Sequence, residues 1–179
     1  MPNIKQVILL AEYNQLMNQR QYAAAENLTE AVLREDKGAF FKSILGTLNH
    51  ILVGDIIWLK RFADHPSSSK ALSYIDKLNK PTSLDVILFD KFGDLYSERQ
   101  KIDEIIVTWA HQLSESDLNE CISYTNMAGD AFSKPFLSLI HHLFLHQVHH
   151  RGQVTTLLSQ LGVDFGETDL IEIIDEYNA

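Results

Sequence analysis

The feature that most constrains this chain is a period. Two stretches step their large side chains by threes and fours over three heptads, each interrupted at one polar position. The first runs Phe41, Ile44, Leu48, Ile51, Asp55, Trp58, Phe62, and the second runs Phe92, Leu95, Arg99, Ile102, Ile106, Trp109, Leu113. Residues three and four apart share a face of an α-helix, so each stretch is a helix with an inward seam. Seams of this kind are covered by other helices, which makes the chain an all-α bundle. Asp55 and Arg99 are the intruders. Either they pair across the bundle, or Arg99 snorkels to solvent while Asp55 bonds locally.

A third row adds chemistry. One long helix is predicted from about Pro135 to Gly162, with Leu139, Leu143, His146, His150, Gln153, Leu157 and Leu161 along one face. Five of the chain's eight histidines lie between His141 and His150. His146 and His150 stand one turn apart. A buried polar group without a partner costs roughly 1–3 kcal/mol, and a metal ion is the partner that suits two imidazoles on one face. A zinc-protease motif fails because Gln147 stands where the catalytic glutamate belongs. A thiolate zinc site fails because Cys121 is the only cysteine. An i, i+4 pair completed from another helix remains, a construction that bundles commonly use.

His50 is the best nominee for the third ligand. It lies in the second predicted helix, about 120° round from the seam, with Thr47, Gly54 and Ile57 on its flank. His111, near the end of the third helix, and His65, in a breaker cluster, are the other choices. Three imidazoles suit Zn²⁺, Ni²⁺ or Fe²⁺ better than Mg²⁺ or Ca²⁺, and three ligands leave a position for water or substrate. The plainer alternative is that these are core histidines satisfied by hydrogen bonds. His141, His142 and His149 read as a polar rim, with His149 and Gln153 suited to a supporting or substrate-facing place. Gly152, at a cost of about 1 kcal/mol against alanine in mid-helix, suggests close approach by a neighbouring backbone.

The remaining chain fits one domain over residues 1–179. A first helix spans Ile4 to about Asn27, with Leu9, Tyr13 and Leu16 on one face; Thr29–Lys37 either continues it or forms its own turn. Breaker clusters at 64–69 and 79–83 bracket a link of about twenty residues, the length a crossover between parallel neighbours needs. Asp90 is the expected N-cap of the third helix. Ile122, Tyr124 and Asn126, followed by Gly129-Asp130, read as a short hairpin, and Pro135 opens the fourth helix. Thr168 or Asp169 is expected to cap a last short helix over Leu170–Asp175.

A formal net charge of -9 with no Lys/Arg cluster argues against a nucleic-acid partner or an anionic lipid surface. The lone Cys121 allows no internal disulfide and is expected to be a semi-buried structural thiol in a reducing compartment. The brief apolar run Val7–Ala11, ended by Glu12, is no signal peptide, and no stretch approaches the ~20 apolar residues of a membrane span. A cytoplasmic protein is the expectation.

His146-x-x-x-His150-Arg151-Gly152-Gln153, together with His50 and its following Asp55 and Trp58, resembles the paired signature of the DinB family. Tyr13-Asn14-Gln15-Leu16-Met17-Asn18 and Leu161-Gly162-Val163-Asp164 agree with it, and the resemblance covers about Ile4 to Asp169. The resemblance implies a four-helix bundle in up-down-down-up order with a long crossover between helices two and three. It implies a divalent transition metal on His50, His146 and His150, nickel or zinc first, iron or manganese next. It further implies a homodimer and a small-molecule substrate, since relatives include S-transferases that use a low-molecular-weight thiol. Hydrolysis of small substrates, or a non-catalytic metal-stabilised dimer with a binding or stress-response role, are the alternatives.

Overall fold

A computed structural model describes residues 3–68 and 70–174. The chain is mostly helical. Helix α1 (Asn3–Ala25) is followed by the short α2 (Glu30–Arg34), which starts where the Thr29 side chain accepts from the Val32 N–H. Helix α3 (Ile44–Ala63) starts at Ser43, whose hydroxyl accepts from Gly46 N–H at 3.0 Å. Lys60 and Arg61 place positive charge in its last turn, where the helix dipole favours it. The link to the next long helix contains the single-turn α4 (Ser73–Lys77). Then come α5 (Phe92–Gln112), the four-residue α6 (Glu115–Leu118) with a Ser114–Asp117 capping box, and a hairpin of β1 (Cys121–Thr125) and β2 (Ala131–Pro135). The strands are antiparallel, pairing Ile122 with Lys134 and Tyr124 with Phe132. Helix α7 (Phe136–Gln160) and a 3₁₀ turn (Leu170–Ile173) complete the described elements.

The four long helices carry the core. α1 packs against α5 and α7, and α3 packs against α7 and α5. α3 is buried on almost every face, including Ile44, Leu48, Ile51, Leu52, Leu59 and Phe62. Its surroundings explain why a narrow seam understates it: helices on several sides need a wider buried surface than one neighbour does. No helix among the described residues is long and apolar enough to cross a membrane.

Several local expectations are corrected. Phe41 precedes α3, because Ser43 captures the cap and Lys42 turns the chain with a φ of 67°. Asp90 does not cap α5. It pairs with Arg34, and the Phe92 N–H is instead accepted by Glu30 Oε1 at 3.1 Å. Pro135 is the N-cap of α7 rather than its first helical residue, being still engaged in β2. Cys121 is exposed on β1, not semi-buried. Ser69 of the first breaker cluster and Asp175 of the predicted last helix lie outside the described residues.

The two seam intruders pair. Arg99, 1% exposed, bonds Asp55, which is fully buried, so the snorkelling alternative is overturned. The pair belongs to a larger polar layer. Asp55 also accepts from Gln147 Nε2 at 2.6 Å, and Asp103 is ion-paired with Arg99 at 2.9 Å and accepts from Asn18 at 2.9 Å. Arg151 donates to Asn14, and to Asn18 and Gln147 at 3.3 Å each. Asn14 and Asn18 come from α1, Asp55 from α3, Arg99 and Asp103 from α5, Gln147 and Arg151 from α7. Two carboxylates face two guanidiniums inside an apolar core, and burial still pushes the Asp103 carboxyl up to about 7.

Candidate metal centre

The packing of α3 on α7 brings His50, His146 and His150 together. His50 Nε2 lies 3.1 Å from His146 Nε2 and 3.1 Å from His150 Nε2. The outer nitrogens fix two of the rings. His50 Nδ1 is 2.7 Å from the Leu84 carbonyl, which can only accept, so Nδ1 carries the proton. His150 Nδ1 is likewise 2.8 Å from Gln153 Oε1. In both rings the Nε2 lone pair therefore points at the other. Two lone pairs at that separation repel, and a cation between them turns the repulsion into ligation. A tetrahedral centre with Zn–N of about 2.0–2.1 Å has ligand nitrogens about 3.3 Å apart, close to the observed spacing.

The rings are seated by their neighbours. Phe41 stacks on His50 with centroids 3.7 Å apart and planes at 15°. His146 leans over Gly54, where a Cβ would stand 2.6 Å from the ring's Cε1. The neighbouring backbone expected close to Gly152 is not there: nothing lies within 4 Å of a Cβ built at that position. His146 Nδ1 is buried without a hydrogen-bond partner among the described residues.

Burial pushes all three rings toward the neutral form. Burial pushes the His146 imidazole down to about 3, with the neighbouring imidazoles His150, His50, His142 and His149 adding to the shift. Burial also lowers His50 and His150, against the opposing effect of the hydrogen bonds they donate to Leu84 and Gln153. Neutral imidazoles are the form that binds a metal.

The other histidines fall elsewhere. His142 lines a cleft of about 490 Å³ in front of His50 and His146, whose walls include Gly54, Ile57, Trp58, Arg61, Leu84 and Met127. His149 is exposed and meets Gln153 Nε2 at 3.3 Å, a supporting place behind His150. His111 meets Glu12 at the surface. His65 meets Ser67 and Glu120, with Asp117 nearby. Sequence reasoning missed Phe41 as a stacking partner, the Leu84 carbonyl, Arg61, and Gln147 as a fully buried member of the polar layer.

The model of the DinB family matches residues 1–176. The chain is 25% identical to Protein DinB of Bacillus subtilis (strain 168) over 160 residues, covering 89% of this chain and 88% of the relative. It is 22% identical to the uncharacterized protein YizA of the same organism over 150 residues, covering 84% of each. With three histidines from two helices converging as the paired motifs require, and a family model matched over nearly the whole length, the chain belongs to the DinB family.

Proposed function

We propose that His50, His146 and His150 hold a divalent transition metal, zinc or nickel in preference to iron or manganese, at the floor of a catalytic cleft. The observation that carries this reading is the convergence of Nε2 lone pairs whose tautomers are fixed by Leu84 and Gln153. The reaction we assign is transfer of a low-molecular-weight thiol to a small electrophile. When bound, the metal supplies Lewis acidity that favours the thiolate form of the nucleophile. The chain does the remainder. Leu84 and Gln153 hold the rings in the ligating tautomer, the outer-shell role that usually orients metal-binding imidazoles. Ile57, Trp58, Leu84 and Met127 give the cleft an apolar wall against which the substrate body packs. On this reading the four long helices form an up-down-down-up bundle whose long link crosses between α3 and α5, and the protein acts as a cytoplasmic homodimer.

Elemental analysis of untagged protein purified without chelator tests the metal, and a conjugation assay tests the reaction. About one equivalent of transition metal per chain is expected, lost in His146→Ala, with metal-dependent disappearance of thiol and model electrophile together. Metal-replete protein that conjugates none of glutathione, bacillithiol or mycothiol would remove the transferase assignment while leaving the metal site standing.

A further inference from the structure

The cleft in front of the histidines is not uniformly apolar. At its mouth Arg61, from the last turn of α3, is half-buried between two rings, its Cζ 4.4 Å from the Trp58 centroid and 4.6 Å from that of Tyr124. One nitrogen donates to the Thr125 carbonyl at 3.2 Å, which ties the guanidinium to the hairpin and fixes its direction. No carboxylate among the described residues lies within ion-pair distance of it, although the chain carries 24 acidic residues against 15 basic ones. The cleft lining itself contains no acid. A rigid, half-desolvated guanidinium without a counter-ion, beside an apolar wall, is a site for an anion with an apolar body.

We propose that Arg61 anchors the carboxylate of an amphipathic organic acid whose body lies against Trp58, Ile57 and Met127, and that this contact selects the substrate of the cleft. The proposal rests on the reading of this cleft as the substrate site. A thiol nucleophile and an electrophilic acceptor can each carry such a carboxylate. The structural duty of Arg61, holding the hairpin through Thr125, is served by any donor at that position and makes no distinction between an acid and its amide.

Isothermal titration calorimetry with two matched pairs makes that distinction: phenylacetate against phenylacetamide, and N-acetylcysteine against its primary amide. On zinc-supplemented wild-type protein at least one acid is expected to bind about tenfold or more tightly than its amide. Arg61→Gln should abolish the preference and leave the amide's affinity unchanged, whereas Arg61→Lys, which keeps the charge, should restore part of it. The pair that shows the preference identifies the source, acceptor or thiol. If Arg61→Gln fails to fold by circular dichroism, the wild-type preference should still shrink as salt is raised from about 0.01 M to about 1 M. Equal binding of acid and amide in both pairs, no measurable binding of either acid, or a preference that survives Arg61→Gln or the rise in salt overturns the proposal. His146→Ala separates it from the metal assignment. The preference of phenylacetate should persist in that variant; a preference lost there and retained in Arg61→Gln puts the carboxylate on the metal and overturns the role of Arg61.

Discussion

Gly54 carries the tightest steric requirement of the histidine cluster. A methyl group there would stand 2.6 Å from His146 Cε1 and 3.1 Å from Nδ1, so the ring would have to shift relative to the other two. Replacing a mid-helix glycine by alanine gains about 1 kcal/mol in helix propensity, while overpacking costs about 1–3 kcal/mol. The two nearly offset in stability but not in geometry. Gly54→Ala is therefore expected to weaken zinc binding about tenfold or more, measured by competition with a chromogenic chelator, with a melting temperature within a few degrees of wild type. His146 also sets a pH dependence. Its imidazole stays neutral in the fold down to about 3 but takes a proton near its ordinary 6.5 once unfolded. The unfolded chain then binds more protons across that window, so this contribution to stability is complete above about pH 6.5 and is lost as pH falls toward about 3. Urea midpoints of chelator-treated protein should fall on acidification, and the slope should be smaller in His146→Leu; an unchanged slope would exclude His146 as the titrating group. His146 and His150 were legible from spacing, and His50 from its place in another helix. Gly54 was not, because a helical glycine announces a close approach without saying which neighbour makes it, and the sequence points to Gly152 instead.

At the scale of elements, the long helices are joined by the polar layer as well as by apolar packing. Removing one partner of a buried ion pair strands the other charge, at about 3–5 kcal/mol. Arg99→Met should therefore destabilise by about that amount, leaving Asp55 with Gln147 alone, and Asp55→Leu should do the same to Arg99. The double variant is expected to recover part of the loss, with a coupling of about 1–3 kcal/mol in urea denaturation; strictly additive costs would mean the contact contributes no pairwise energy. Asp55 and Arg99 were visible in the sequence as intruders in two seams. Asn14, Asn18, Asp103, Gln147 and Arg151 were not, because a strict three-four row drifts about 20° per heptad from a straight helix and ignores the flanks that a helix with several neighbours also buries. Gln147 was set aside as a failed catalytic base, and its burial came from the adjoining face of α7. The long link between α3 and α5 was legible from the breakers at its ends. Its Leu84 carbonyl, which fixes the His50 tautomer, sits in a stretch with no period to read.

For the whole molecule, the question is how much of the fold would depend on the metal proposed for the three histidines. The apolar core runs through α1, α3, α5 and α7, from Val7 and Leu48 to Trp109, Phe136 and Leu158. A ligand that binds only the native state stabilises it by about 4 kcal/mol when present a thousandfold above its Kd. For a chain of this size each kcal/mol moves the melting temperature by about 2–4 °C. Chelation is thus expected to lower the melting temperature by about 8–16 °C while far-UV circular dichroism at 25 °C stays helical and the transition stays cooperative. The magnitude and the cooperativity report different things. A fall of this size with a sharp transition fits a metal placed in a core that folds without it, which leaves the ion's coordination free for chemistry. A chelated protein that keeps helical signal but melts without a transition would mean that the histidines organise the packing of α3 on α7, and the site would then be structural. His146→Ala should reproduce the chelated melting curve, since both leave the same core and remove the same ion; a variant much less stable than chelated wild type would show that the imidazole itself supports the packing over Gly54.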